Sequence, residues 1–272
     1  GGFLLYDVSN PRDIKLVKTI YEPDGRTKEF REPHAFGQAT IGGKDYIALP
    51  SIYGVEFWDF TDINDIKQVK KLVLPGVNAG DYENVNWQMY WQAPYLYVAS
   101  ASRGMFIVDA GDPANARIAD RGNGRANPVP LGELGGFRAG PVFAMGNEMV
   151  LTSMETTSGF ASLDISDPLN PTLIGGKTTL PNYYATCFNG RKLYTSGRNG
   201  DGKMAGYDLS NLREVKIENE TTPIEEGLYC AAQDDHLIVG AQRYIFKLDI
   251  TNPASYPEIG RSERVPDNAT VP

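Results

Sequence analysis

Hydrophobic residues in this chain come in short β-rich runs closed by turn residues, and nowhere do they fall at helical spacing. Tyr46-Ile47-Ala48-Leu49, Leu96-Tyr97-Val98-Ala99, Met149-Val150-Leu151-Thr152, Leu193-Tyr194-Thr195-Ser196 and Leu237-Ile238-Val239-Gly240 are of strand length. Before them stand Gly42-Gly43, Ala93-Pro94, Gly146-Asn147, Asn189-Gly190 and Asp234-Asp235, pairs suited to tight hairpins. A further run lies upstream of each pair, over 34–41, 84–92, 140–145, 183–188 and 227–232.

A third kind of run follows, and it recurs six times: four mostly apolar residues, an Asp, then a Ser/Thr–Asx–Pro-like turn. Gly54-Val-Glu-Phe-Trp-Asp59 and Gly104-Met-Phe-Ile-Val-Asp109 are typical copies, and the remaining Asp residues are Asp7, Asp164, Asp208 and Asp249. A more polar fourth run comes after each, such as Ile66-Lys67-Gln68-Val69. The Asp recurs every 41 to 55 residues, the period of a repeat architecture.

Four antiparallel strands per repeat, named a to d from inside to outside, predict an all-β β-propeller. A β-sandwich is the alternative, but it does not require the same turn at the same place in every unit. We read one propeller domain over 1–272, with units near 1–30, 31–78, 79–134, 135–181, 182–224 and 225–272. There are five complete blades and one half blade, because Gly1 leads directly into strand c of the first unit. The ring is therefore expected to be completed, to six or seven blades, by strands outside these residues, with the chain forming part of a longer protein.

Six recurring acidic residues invite a metal-site reading. An Asp that ends a strand before Ser/Thr-Asx-Pro instead accepts N–H bonds from the turn that follows, and the copies fall on six different blades. We therefore read them as turn residues. Gly104 to Pro113 and Gly159 to Pro168 resemble the LVIVD-repeat family of bacterial β-propellers, whose name spells the strand before the Asp. The resemblance implies a propeller on an exported or surface-associated protein and implies no defined reaction.

Charge then narrows the partners. The 26 basic and 34 acidic residues give a net charge of −8, which disfavours an electrostatic grip on nucleic acid or anionic lipid. No apolar run reaches the roughly 18 residues of a membrane span, so direct insertion is not expected. No leader pattern precedes the first strand, and the extracytoplasmic placement comes from the family resemblance alone. Cys187 and Cys230, the only cysteines, allow one disulfide but read more simply as two buried free thiols on neighbouring inner strands. The sequons at Asn219 and Asn268 carry little weight outside a eukaryotic secretory context.

Loops on a rigid scaffold are where binding residues gather. The d–a and b–c loops, at the mouth of the channel, hold Arg31, Glu32, His34, Tyr53, Tyr82, Glu83, Arg103, Arg138, Tyr183, Tyr184, Arg198, Glu226 and Arg243. Arg31, Tyr53, Tyr82, Arg103, Arg138, Tyr183, Tyr184, Arg198, Glu226 and Arg243 form the candidate ligand-binding set. Arginine suits carboxylate or phosphate recognition through its planar fork, although Arg and Glu of adjacent blades could simply pair with each other. His34, with Glu32 or Glu83, is the candidate acid–base site.

His236 lies on the opposite face, and two histidines on opposite faces do not make a typical transition-metal site. Arg198 to Gly202 lacks the later acidic ligands of a calcium loop. We assign no metal and no cofactor. Gly122 to Gly136 is a long loop, either a lid or an insertion, and Trp87 and Trp91 are expected to pack between blades on one strand face. The functional expectation is a binding module for a protein, peptide or glycan, its oligomeric state open. The alternatives are a hydrolase or lyase at His34, or an architectural spacer.

Overall fold

Many strands end where branched and aromatic residues give way to Gly, Asn or Asp, as at Ile41-Gly42 and Trp58-Asp59. The computed structural model describes residues 2–10, 12–21, 35–154, 159–177, 185–196, 204–221, 227–241 and 243–264. The chain divides into two compact units, Gly1–Pro128 and Val129–Pro272.

In the first unit, β1 (Gly2–Asp7) pairs with β2 (Lys15–Tyr21) in a two-stranded sheet. β3 (Gly37–Ile41), β4 (Lys44–Ser51), β5 (Gly54–Asp59) and β6 (Lys67–Val73) form a four-stranded antiparallel sheet in chain order. So do β7 (Gln88–Gln92), β8 (Tyr95–Ala99), β9 (Met105–Asp109) and β10 (Arg117–Ile118).

The second unit holds three more four-stranded sheets. They are β11 (Ala139–Met145) to β14 (Thr172–Lys177) through β12 (Glu148–Ser153) and β13 (Phe160–Asp164), and β15 (Ala185–Asn189) to β18 (Lys216–Thr221) through β16 (Lys192–Ser196) and β17 (Met204–Asp208). The last runs from β19 (Gly227–Gln233) to β22 (Glu258–Arg261) through β20 (His236–Ala241) and β21 (Ile245–Asp249). These are the five complete blades and the half blade expected from the repeat, and the fold class is β-propeller. The helical elements among the described residues are two 3₁₀ turns, Pro113–Asn115 and Leu131–Leu134.

The Asp phrase is turn chemistry in all six copies. The carboxylates of Asp7, Asp59, Asp109, Asp164, Asp208 and Asp249 accept the backbone N–H two residues on, at 2.8–3.4 Å. The following Asx residue repeats the device, as Asp62 does for Asn64 N–H at 2.8 Å and Asp167 for Leu169 N–H at 3.1 Å. The Gly that opens a copy is there for space: a Cβ on Gly54 would sit 1.9 Å from the carbonyl oxygen of Leu72 on the strand beside it.

These turns share an end of the blade with the a–b hairpins. Phe60, Ala110, Ile165, Leu209 and Ile250 each donate their N–H to a carbonyl of the a–b turn, namely Asp45, Pro94, Asn147, Arg191 and Asp235. The b–c turns and d–a loops therefore form the other end.

Apolar faces of adjacent blades make the cores. In the first unit Ala48, Val55 and Phe57 pack with Met89, Trp91, Leu96 and Val98, and Trp91 meets Phe57 edge-on at 5.4 Å. In the second, Val150 and Phe160 pack with Leu193, Ala205 and Tyr207. Each such fully buried side chain contributes about 1.5–3 kcal/mol.

One expectation changes. Cys187 and Cys230 are not free thiols but a disulfide, joining β15 to β19 with Cα atoms 5.7 Å apart. Their placement on neighbouring inner strands was readable, but the facing of the two Cβ atoms depends on the register between blades. Trp87 precedes β7, is buried and leans edge-on against Tyr82 at 5.7 Å, while Trp91 packs between blades. The loop after β10 is held to its own blade at Asn127. Asn127 donates to the carbonyls of Ile107 and Ala119 and accepts the Ile107 N–H, stitching it to the outer edge of β9.

Candidate functional site

The d–a loop between β6 and β7 is long, Leu74 to Trp87, and rich in Asn, Gly and Asp. Such residues fold back on their own backbone. Asn78 Oδ1 accepts Gly80 N–H at 2.9 Å, and Asp81 Oδ1 accepts Glu83 N–H at 3.0 Å. Asn84 Nδ2 donates to Asp81 Oδ2 at 2.5 Å, and Asn78 N–H returns to the Asn84 carbonyl at 3.0 Å. The loop is thus closed on itself before it meets its neighbours.

Two b–c turns then hold it. On one side, Leu74 N–H and Ala79 N–H each donate at 2.8 Å to the carbonyls of Tyr53 and Ile52. On the other, Ser102 grips Glu83 twice, its N–H on the Glu83 carbonyl at 3.0 Å and its hydroxyl on Oε2 at 2.7 Å. Beneath them Asn86, 3% exposed, donates to the Gly54 carbonyl at 2.7 Å and accepts the Ser100 hydroxyl at 2.6 Å. One buried amide therefore ties the d–a loop to both turns.

This arrangement collects four of the residues singled out from sequence: Tyr53, Tyr82, Glu83 and Arg103. Tyr53 is 55% exposed. Glu83 is exposed but its carboxylate is engaged by Ser102. Arg103 is exposed, and its guanidinium makes no hydrogen bond or ion pair among the described residues. It rests on Gly76, whose φ of +79° and missing Cβ leave room for it. The blade-locking Arg–Glu pair considered from sequence is not made here, because Ser102 takes Glu83 and Gly76 seats Arg103.

In the second unit, Arg138 precedes β11 and is half-buried, with its carbonyl accepting Met154 N–H at 3.1 Å. Arg243 is half-buried in the turn between β20 and β21. Arg31, Glu32, His34, Tyr183, Tyr184, Arg198 and Glu226 lie outside the described residues, as does most of the acid–base pair. Sequence reasoning missed Gly76, Asn86 and Ser102. An Asn and a Ser fourteen residues apart carry no signal of contact until the blade register brings them together.

The LVIVD repeat matches residues 94–124 and 157–179. The chain carries LVIVD repeats. No curated protein matches its sequence.

In fold, the LVIVD-repeat chain is similar to the periplasmic gluconolactonase PpgL of Pseudomonas aeruginosa, at 11% identity and TM-score 0.65 over 84% of this chain and 70% of that one. It is similar to a chain of a nidogen/laminin complex, at 7% identity and TM-score 0.59 over 96% and 93%. The computationally designed Ika8 protein is a third, at 12% identity and TM-score 0.56 over 94% and 67%. These neighbours are β-propeller proteins, and at such identities they show the fold alone.

Proposed function

We propose that this chain is an extracytoplasmic binding module whose b–c turns and d–a loops engage a protein, peptide or glycan presenting an anionic or hydrogen-bonding group. The observation that carries the reading is Arg103: an exposed guanidinium, seated on Gly76 of the loop that the exposed Tyr53 turn also holds, with no ion pair among the described residues. Arginine held this way keeps its fork available for a carboxylate, and an aromatic neighbour adds apolar contact to a polar grip.

Rigidity supports the same reading. The loop is braced by its own Asx turns and by Asn86, so little ordering remains to oppose binding. The extracytoplasmic placement is supported by the Cys187–Cys230 disulfide, which suits an oxidising compartment, and by the likeness to a periplasmic propeller. Among the described residues no helix is long and apolar enough to cross a membrane.

The test is titration calorimetry of the intact chain with uronic-acid oligosaccharides and with acidic peptides. The expected result is saturable binding that Arg103→Ala weakens at least tenfold and Arg103→Lys only partly restores. Binding that is indifferent to Arg103, or no binding to either ligand class, would overturn the reading.

A further inference from the structure

Arg103 and Glu83 carry opposite charges on segments bonded to each other, yet the two side chains do not pair. The Glu83 carboxylate accepts the hydroxyl of Ser102, the residue immediately before Arg103, at 2.7 Å. Arg103 lies instead over Gly76, at the other end of the loop that carries Glu83. Both side chains are exposed, and so is Asp81 of the same loop. The surface therefore presents one cation together with two carboxylates.

Its backbone has few donors left to offer. Leu74, Asn78, Ala79, Gly80 and Glu83 spend their N–H groups within the loop or on the Tyr53 turn. Those of Val77, Asp81 and Asn84 go to the carbonyls of Leu74, Asn78 and Asp81 at 2.9–3.1 Å. In the b–c turn, Ser102, Arg103 and Gly104 donate to the carbonyls of Glu83, Ser100 and Ala101. An extended peptide is held mainly by main-chain bonds, and its carbonyls would find few backbone donors here. Recognition falls to side chains, and the carboxylates among them only accept. Such a surface suits a ligand rich in hydroxyl donors.

We infer that the ligand is a glycan in which each uronic acid stands between neutral sugars, an inference that rests on the Arg103 binding function proposed above. The uronate carboxylate lies on the guanidinium fork, and hydroxyls of the adjoining sugars donate to Glu83 and Asp81. A carboxylate has about four lone-pair positions, so Glu83 keeps the Ser102 hydroxyl and still accepts from a sugar. A second uronic acid directly beside the first would meet those carboxylates as a like charge, which disfavours polyuronates. Tyr53, whose carbonyl holds Leu74 of the same loop, adds an exposed aromatic face for a sugar ring.

The experiment is titration calorimetry of the 272-residue chain with four probes of similar length. They are a hyaluronan tetrasaccharide, in which glucuronate alternates with N-acetylglucosamine, tetragalacturonate, chitotetraose, and the capped peptide Gly-Glu-Gly-Glu-Gly. We expect the hyaluronan tetrasaccharide to bind at least tenfold more tightly than the other three. Arg103→Ala should weaken it at least tenfold. Glu83→Gln keeps an acceptor for Ser102; it should weaken the hyaluronan probe about fivefold and strengthen tetragalacturonate, an effect of opposite sign. Two results would overturn the inference and leave the Arg103 function standing. One is Arg103-dependent binding led by the peptide, tetragalacturonate or chitotetraose, and the other is a Glu83→Gln variant that leaves both acidic sugars unchanged or shifts them alike. Binding that ignores Arg103→Ala, or no binding of any probe, would overturn both.

Discussion

The guanidinium of Arg103 occupies the space a side chain on Gly76 would need: an added Cβ would lie 2.6 Å from its central carbon. Gly76 also has φ of +79°, where a Cβ is strained whatever the space. Gly76→Ala should therefore cost about 1–3 kcal/mol in urea unfolding and displace Arg103. If the guanidinium is a ligand contact, the same substitution should weaken binding of acidic ligands about as much as Arg103→Ala does. A stable Gly76→Ala variant with unchanged affinity would show that Arg103 needs no seat.

Asn86 concerns the frame rather than the ligand. It is buried and serves both the Gly54 carbonyl and the Ser100 hydroxyl. Asn86→Ala leaves a buried acceptor and a buried donor to find new partners, a cost of about 1–3 kcal/mol. Ser100→Ala should cost less, since it strips Asn86 Oδ1 of a donor and otherwise removes only a long 3.4 Å bond to the Val98 carbonyl. Because the two share one bond, the double variant should be less destabilised than the sum of the singles, and chemical denaturation of the four proteins measures this.

That pair marks the limit of what the residues alone disclose. The Ser/Thr–Asx–Pro turns were legible because their bonds run between residues two apart, as Asp164 to Ser166 shows. Blade count followed from the same local period. The Asn86–Ser100 bond, the seat of Arg103 and the Cys187–Cys230 bridge all join separate elements, so they depend on blade register, which no local pattern states.

The turn carboxylates should make the fold acid-sensitive. Hydrogen bonds from the hydroxyl and then the N–H of Ser9, Thr61, Ser166 and Thr251 hold Asp7, Asp59, Asp164 and Asp249 below the usual carboxylate range. For Asp208 the Ser210 N–H leads and its hydroxyl follows. With native values below unfolded ones, the unfolded chain binds more protons as pH falls, so these groups stabilise the fold fully above the unfolded value. Urea midpoints should therefore hold level from about pH 7 to 5 and fall below about pH 4. Asp164→Asn keeps an Asx turn without the charge and should give a shallower acid slope.

The disulfide closes a loop of sequence separation 43. By chain entropy that is worth up to about 4 kcal/mol. Reduction, or Cys187→Ser with Cys230→Ser, should lower the denaturation midpoint, and dithiothreitol should then have no further effect on the double variant. If thiol titration of the untreated protein finds two free thiols, the bridge is not formed.

Trp91 separates packing from hydrogen bonding. It is 6% exposed, and its indole Nε1 has no hydrogen-bond partner among the described residues. What it does have is Phe57, edge-on at 5.4 Å. Trp91→Ala should cost about 3–5 kcal/mol, the range for emptying a large aromatic site. Trp91→Phe loses ring area but also removes a buried, unpaired N–H, a group that costs roughly 1–3 kcal/mol to keep out of water. The two effects oppose, so Phe should cost about 1 kcal/mol or less. Urea unfolding of both variants decides the matter, since a Phe variant as weak as the Ala variant would mean that the indole N–H is satisfied by a buried water and contributes more than its ring.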